Sequence, residues 1–371
     1  MHIVLTGNTT FKLANFRAGL VQRLIAAGYR VTVLAPPDDY VGAVRDMGCD
    51  FVPLSMDRNG TSPIAELALL ISIFRTLRRL RPTFVFGYTI KNNIYAGLAC
   101  RLLGIPFAAN VTGLGPAFND GGLLNGVVRI LYRAAFRRAE AVFFQNESDR
   151  DIFLAGHLVP SDRVRLLPGS GVNLTRFAFQ PVPPHNGSIR FLLVARMLWD
   201  KGVGIFADAA EQVRRTHPEA LFQLLGPLDP DSKTGIGQHQ IDQWVEEGRL
   251  VYLGSAADVR PAIEQAHCIV LPSYYREGTP RTLLEAGATG RPAITSDMPG
   301  CRDPIAAGVS GILVRPRDSE DLARACVEFL GMSHTAQVEM GRAARERMER
   351  DYDERIVIDA YMSLLDGHGF A

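Results

Sequence analysis

A chain of 371 residues is long enough for two domains of about 150–200 residues, each with its own core. With 47% hydrophobic and 21% charged residues it is neither disordered nor fibrous, and no apolar run approaches the roughly 18 residues of a membrane span. The net charge of +1 hides an asymmetry: residues 1–180 carry 20 Lys/Arg against 12 Asp/Glu, residues 181–371 carry 20 against 27, so the first half is expected to meet an anionic partner.

Met1–Gly7 runs directly into a strand without a basic stretch or cleavage site, so no signal peptide is expected. Ile3–Thr6 reads as a buried strand, Asn15–Ala27 as a helix stopped by Gly28, and Val31–Ala35 as the next strand. Phe84–Phe86, Phe107–Val111, Ala141–Phe144 and Val164–Leu167 continue the series. Apolar strands without alternation, separated by helices, indicate a parallel sheet covered on both faces. Around residues 181–188 the pattern breaks into a Pro-rich linker and then restarts. Arg190–Ala195, Leu221–Leu225, Val251–Leu253, Ile269–Leu271, Ala293–Thr295 and Ile312–Val314 are its strands, and Glu354–Leu365 is an amphipathic helix. The expected fold is α/β, two Rossmann-like doubly wound domains facing a cleft, with boundaries at 1–180 and 187–350 and a terminal segment at 351–371. The five cysteines, Cys49, Cys100, Cys268, Cys301 and Cys326, form no Cys-x-x-Cys pair and are expected as reduced core residues of a cytoplasmic protein.

Gly7-Asn8-Thr9-Thr10-Phe11 lacks the three-glycine dinucleotide fingerprint, which argues against a nicotinamide oxidoreductase. The chemistry concentrates instead in Ser273-Tyr274-Tyr275-Arg276-Glu277-Gly278-Thr279-Pro280-Arg281-Thr282-Leu283-Leu284-Glu285. A strand ends at Pro272, Thr279 is suited to cap a helix, Pro280 suits its first turn, and Gly290 stops it. A helix start at a strand's carboxyl end favours a diphosphate. Glu285 follows about 7 Å further along the helix, so Glu277 and Glu285 are spaced to hold hydroxyls at the two ends of a nucleotide-sugar. Arg196 and Lys201, in Val194-Ala195-Arg196-Met197-Leu198-Trp199-Asp200-Lys201-Gly202, sit at another strand end, able to neutralise a leaving diphosphate without a metal.

Glu277-x7-Glu285, the Arg196/Lys201 pair and Gly300 resemble retaining glycosyltransferase family four, which implies the GT-B fold. The resemblance implies Arg196 and Lys201 on the donor phosphates, Glu277 near the donor sugar and Glu285 on the ribose. It further implies backbone contacts at Gly278, Thr279, Thr282 and Leu283, and it places Gly7 and Asn8 at the donor. Ala14-Asn15-Phe16-Arg17, Lys91–Gly97, Val111-Thr112-Gly113-Leu114-Gly115 and Gln145-Asn146-Glu147-Ser148 are similar to bacterial N-acetylgalactosaminyl and galactosyl transferases acting on polyprenyl-diphosphate sugars. That implies a lipid-linked acceptor, held by the first domain with Asn15 and Lys91 as candidates. It also implies a UDP-sugar co-substrate, no bound cofactor and no metal. The chain departs from the family in having Gly7-Asn8 for a glycine pair and Asn110-Val111-Thr112-Gly113 where a histidine is common.

Arg75, Arg78, Arg79 and Arg81, and Arg129, Arg133 and Arg137 at i, i+4, i+8, form basic stripes, either merely solvated or docked on an anionic membrane surface on the cytoplasmic face. Asp229-Pro230-Asp231 reads as a loop rather than a metal site, and His157, His217 and His267 as structural. No Gly-x-Ser-x-Gly elbow, Walker loop or nucleic-acid motif is present. A nucleotide-sugar 2-epimerase, a soluble transferase with a small acceptor and a non-catalytic nucleotide-sugar sensor are the rival readings.

Overall fold

The computed structural model describes residues 1–57, 60, 62–114, 118, 122–185 and 187–367; Gly115 and Asn186 of the motifs above lie outside them. It divides into two compact units, one formed by Met1–Ser170 with the segment from Glu354, the other by Gly171–Asp353.

The first unit is built on seven strands: β1 (His2–Thr6), β2 (Arg30–Ala35), β3 (Asp50–Pro53), β4 (Phe84–Tyr88), β5 (Phe107–Val111), β6 (Ala141–Phe144) and β7 (Val164–Leu166). They pair in parallel in the order β3-β2-β1-β4-β5-β6-β7. Because both faces are covered, the inner strands are buried at nearly every position, which is why they read as unbroken apolar runs. The crossovers are α1 (Thr10–Phe16), α2 (Ala18–Ala26), α3 (Val41–Asp46), α4 (Pro63–Leu80), α5 (Ile90–Leu103), α6 (Leu123–Phe136) and α7 (Glu147–Ala155).

The single helix expected over 15–27 is two helices. Asp38 holds the start of α1, accepting from the backbone N–H of Thr10 (2.9 Å) and Phe11 (3.2 Å). Helix α1 therefore begins five residues early, and the chain breaks at Arg17 (φ −130°, ψ 8°) before α2. The edge strand β3 has no counterpart in the sequence reading, since Asp50-Phe51-Val52-Pro53 is short, polar at one end and closed by proline.

The second unit repeats the plan with β8 (Arg190–Val194), β9 (Leu221–Leu225), β10 (Val251–Tyr252), β11 (Cys268–Leu271), β12 (Ala293–Ser296) and β13 (Gly311–Val314). Their order is β10-β9-β8-β11-β12-β13, again parallel. Helices α8 (Val203–Arg214), α9 (Gln238–Glu246), α10 (Arg260–Gln265), α11 (Arg281–Thr289), α12 (Ser319–Leu330) and α13 (His334–Asp351) cover it. Helix α14 (Glu354–Asp366) belongs to the first unit, where Val357, Tyr361 and Leu365 are buried with Leu20 and Leu24 of α2. Each such side chain contributes about 1.5–3 kcal/mol by leaving water. In both sheets the order reverses once, between β1 and β4 and between β8 and β11. Loops leaving those neighbours part to opposite faces, which opens a crevice at the strands' carboxyl ends.

His267, just before β11, is fully buried, and its Nδ1 accepts the Arg190 backbone N–H at 3.1 Å. Burial, reinforced by neighbouring His185, pushes its pKa down to about 4. Between the ordinary value of 6.5 and about 4 the unfolded chain takes up this proton before the folded one, so acidification removes stability there. His267→Asn is expected to lower the melting temperature at pH 7, with the deficit shrinking as pH is lowered toward 4; a deficit constant with pH would assign the loss to packing alone.

Candidate functional site

The second unit's crevice is framed by the loop after β8, residues 195–202, and the loop after β11, residues 272–280. One carbonyl joins them. Asp200 O accepts from Ser273 Oγ (3.1 Å), Tyr274 N (3.1 Å) and Tyr275 N (3.3 Å). Gly202, at φ +77°, caps α8, and a Cβ there would stand 2.1 Å from Pro272 O. Only glycine accepts that φ and that approach together.

With the loops fixed, Lys201 Nζ meets Glu277 Oε2 at 2.5 Å, the two side chains 18% and 13% exposed. Such shielding makes the pair far stronger than a surface ion pair but costs desolvation of both charges. Arg196, on the same loop and largely exposed, pairs with Asp229 Oδ2 at 2.5 Å. The D-x-D at 229–231 thus supplies a counter-ion, a role that sequence reasoning missed because the contact joins residues 33 apart in the chain. Burial raises the pKa of the Asp200 carboxyl, with Lys201 opposing.

Helix α11 starts one residue later than expected. Pro280, not Thr279, is the N-cap, its carbonyl accepting from Leu283 and Leu284 N–H. A proline supplies the extended φ of a cap while lacking the donor that would need a partner. Thr282 Oγ donates to Val194 O at 2.8 Å, tying the first turn of α11 to the end of β8. Leu283 is buried with Leu271, Ala293 and Cys301. Glu285 is 9% exposed and accepts from Arg281 Nε at 3.2 Å. Burial raises the pKa of Glu285, and Arg281 offsets part of the rise. Gly278 and Thr279 occupy the turn between Glu277 and the helix, backed by Gly300, where a Cβ would lie 2.1 Å from Gly278 O and 2.5 Å from Glu277 O.

The structure thus brings Arg196, Lys201, Glu277, Gly278, Thr279, Thr282, Leu283 and Glu285 to the carboxyl ends of β8 and β11. The remaining candidates belong to the first unit. Gly7 and Asn8 follow β1; Gly7 O accepts from Asn92 Nδ2 at 3.2 Å, and Asn8 Oδ1 is buried with no hydrogen-bond partner among the described residues. Asn15 Nδ2 turns back to Phe11 O at 3.0 Å. Lys91 Nζ donates to Asp57 O (2.7 Å), Gly60 O (2.6 Å) and Glu66 Oε1 (2.5 Å). All three ammonium hydrogens are engaged, so Lys91 ties Asp57 and Gly60 to Glu66 of α4.

Comparison with known proteins follows the same division. A family model described as "Glycosyl transferase 4-like domain" matches residues 14–169, and one described as "Glycosyl transferases group 1" matches residues 188–332. A Campylobacter jejuni N,N'-diacetylbacillosaminyl-diphospho-undecaprenol alpha-1,3-N-acetylgalactosaminyltransferase is 26% identical, over 99% of this chain and 98% of its own. An Escherichia coli UDP-Gal:alpha-D-GlcNAc-diphosphoundecaprenol alpha-1,3-galactosyltransferase is 28% identical over 75% of this chain and 73% of its own. Among solved structures, Anabaena HepE in complex with UDP-glucose superposes with a TM-score of 0.80 at 15% identity, covering 99% of this chain and all of that one.

Gly300→Ala tests the backing of the Glu277 turn, with Gly308→Ala as control, since Gly308 has φ +74° but open space around its Cβ position. Both variants should lose about 1–2 kcal/mol of stability from backbone strain, and the Gly300 variant more, because its Cβ would strike two backbone carbonyls. Only the Gly300 variant should also lose ligand binding by more than about tenfold, measured by calorimetry with UDP; equal effects would remove the contact from the argument.

Proposed function

This chain belongs to the glycosyltransferases that join a 4-like domain to a group 1 domain, and from that premise we propose that it moves a hexose or N-acetylhexosamine from a UDP-sugar to a polyprenyl-diphosphate-linked saccharide, with retention, in assembly of a bacterial surface polysaccharide or glycan. The observation that carries the reading is the convergence of Lys201, Glu277, Arg196 and the start of α11 at one crevice of the second unit. In it, the donor diphosphate lies against the start of α11. Lys201 turns from Glu277 to the phosphates, and Arg196 leaves the exposed pair with Asp229 to join it. Glu277, relieved of its cation, accepts a hydroxyl of the donor sugar; Glu285, positioned by Arg281, accepts from the ribose. The relatives named for lipid-diphosphate substrates, one matched along nearly the full chain, support the acceptor class.

The same reading holds the enzyme at an anionic membrane surface through its first unit. No helix among the described residues is long and apolar enough to cross a membrane. Helix α4 instead exposes Ile64, Leu67 and Ile71 along one stripe, at 83%, 58% and 40%, ahead of exposed Arg75, Arg78 and Arg79. None of these three arginines pairs with a carboxylate among the described residues. Each near the surface adds about 1 kcal/mol of attraction. The α6 stripe contributes less, since Arg133 donates to Gly156 O and His157 O, both at 2.9 Å, and so closes the end of α7.

Incubation with radiolabelled UDP-, GDP- and ADP-sugars and a bacterial lipid extract is expected to move label from a UDP-sugar into the organic phase, and Glu277→Ala to abolish it. Lys201→Ala should lower turnover by about 10²-fold or more. Donor hydrolysis or epimerisation without lipid labelling would overturn the acceptor assignment. On vesicles, binding should require anionic lipid, weaken with salt and fall when Arg75, Arg78 and Arg79 are changed to Gln; salt-independent binding would reject electrostatic docking.

A further inference from the structure

The break between α1 and α2 buries a cation that forms no ion pair among the described residues. Arg17 is 5% exposed, its Nη1 has no hydrogen-bond partner, and no ion pair satisfies it among the described residues. Its guanidinium lies over the Tyr88 ring, 4.9 Å from the centroid, and Tyr88 in turn stacks on Tyr361. Neither Asp38 nor Glu354, the carboxylates at the starts of α1 and α2, forms an ion pair with it. Asp38 accepts from the N–H groups of Thr10, Phe11 and Tyr40, and Glu354 lies beside Gly19 in the first turn of α2. An arginine does not escape burial by losing its proton, so a lone buried guanidinium is costly until an anion joins it.

The place is as telling as the charge. Tyr88 ends β4, and β1 and β4 flank the point where the first sheet reverses its order. Thr89 follows at φ +70°, a β-branched residue held in a strained conformation, and makes no side-chain cap for the fourteen-residue helix α5. Thr89 Oγ instead donates to Asn92 Oδ1 at 3.1 Å, and Asn92 Nδ2 reaches across to Thr6 Oγ at 2.7 Å, pinning the two sides of the crevice together. Strain, an uncapped helix start and an orphaned buried arginine meet at one strand end.

We infer that Arg17 is the anchoring cation of a diphosphate site in the first unit, and that the group it holds is the diphosphate of the lipid-linked acceptor. The guanidinium fork matches two phosphate oxygens, and the Tyr88 face keeps it in plane. The inference rests on the proposed acceptor class and transfers the anchoring role from Lys91, whose hydrogens are all engaged.

The test uses Arg17→Met in the full chain. Inorganic pyrophosphate is added over saturating UDP, which keeps the second unit's site occupied. The wild type should gain thermal stability from pyrophosphate and the variant should not, while both keep the UDP shift. Without ligands the variant should melt at the same temperature or higher, since a lone buried charge is gone; a structural arginine would give a lower one. In steady state the variant's acceptor KM should rise about ten- to hundredfold with the donor KM within about twofold, and Arg17→Lys should restore part of the loss. Pyrophosphate protection retained in the variant, or a rise confined to the donor KM, overturns the inference. Should the wild type transfer to no lipid acceptor at all, the proposed function falls, and the pyrophosphate arm still decides whether Arg17 holds a diphosphate.

Discussion

Two loops that leave neighbouring parallel strands toward opposite faces share little beyond the hydrogen bonds strung between them, and in the second unit these converge on the carbonyl of Asp200. Ser273, Tyr274 and Tyr275 all donate to it, so the residue after Asp200 and the residue two beyond Tyr275 are carried on one rigid frame. Those residues are Lys201 and Glu277. Their 2.5 Å contact is therefore a consequence of backbone geometry as much as of attraction between charges. A shielded pair of this kind adds little net stability, because the Coulomb gain is offset by lost hydration. What it supplies is position: a cation and a carboxylate held side by side in the crevice.

The frame demands small residues where backbones touch. Gly202, Gly226 and Gly300 have φ of +77°, +148° and +82°, and a Cβ on each would strike a carbonyl of the neighbouring loop. These contacts pack peptide against peptide, with no side chain able to give way. The stability that tolerates such strain comes from elsewhere in the unit, from the cluster of Phe191, Phe206, Phe222 and Phe329 around the sheet. Core and crevice divide the work: side chains hold the sheet, and bare backbone shapes its end.

How much of this was legible in the sequence follows from what each feature depends on. Strands buried on both faces announce themselves as apolar runs, so all but the edge strand β3 were readable within a residue or two. The placing of Lys201 and Glu277 at the strand ends was readable as well, because a strand end followed by a glycine or proline start of a helix marks the crevice. Asp229 was not, since its value as the partner of Arg196 depends on a fold contact across 33 positions of chain. Nor was the break at Arg17. The apolar spacing of Phe16, Leu20 and Leu24 supports one continuous helix, but Thr9 caps an earlier start by accepting from Lys12 N–H, and Asp38, on another loop, holds that start in place. The cap was local and legible; the hold from Asp38 was tertiary and was not.

The two units answer the same topological question with opposite electrostatics. At the second unit's reversal point the cation already has its anion, so in the proposed function a donor phosphate displaces Glu277 from Lys201 and is bound by exchange. At the first unit's reversal point Arg17 has no ion pair among the described residues, so in the inferred site an anion is bound by completion. Binding by completion adds to the stability of the unit that binds, whereas binding by exchange is closer to neutral. The basic balance of residues 1–180 acquires a finer meaning in this light. Arg30, Arg150 and Arg163 are paired with carboxylates of the same unit and so add nothing to the excess. Two parts of the unpaired charge stand out: that on α4, which faces outward with exposed apolar side chains, and Arg17, which is buried. An acceptor whose lipid sits in a membrane and whose diphosphate projects from it would meet the first of these with its surroundings and the second with its own charge.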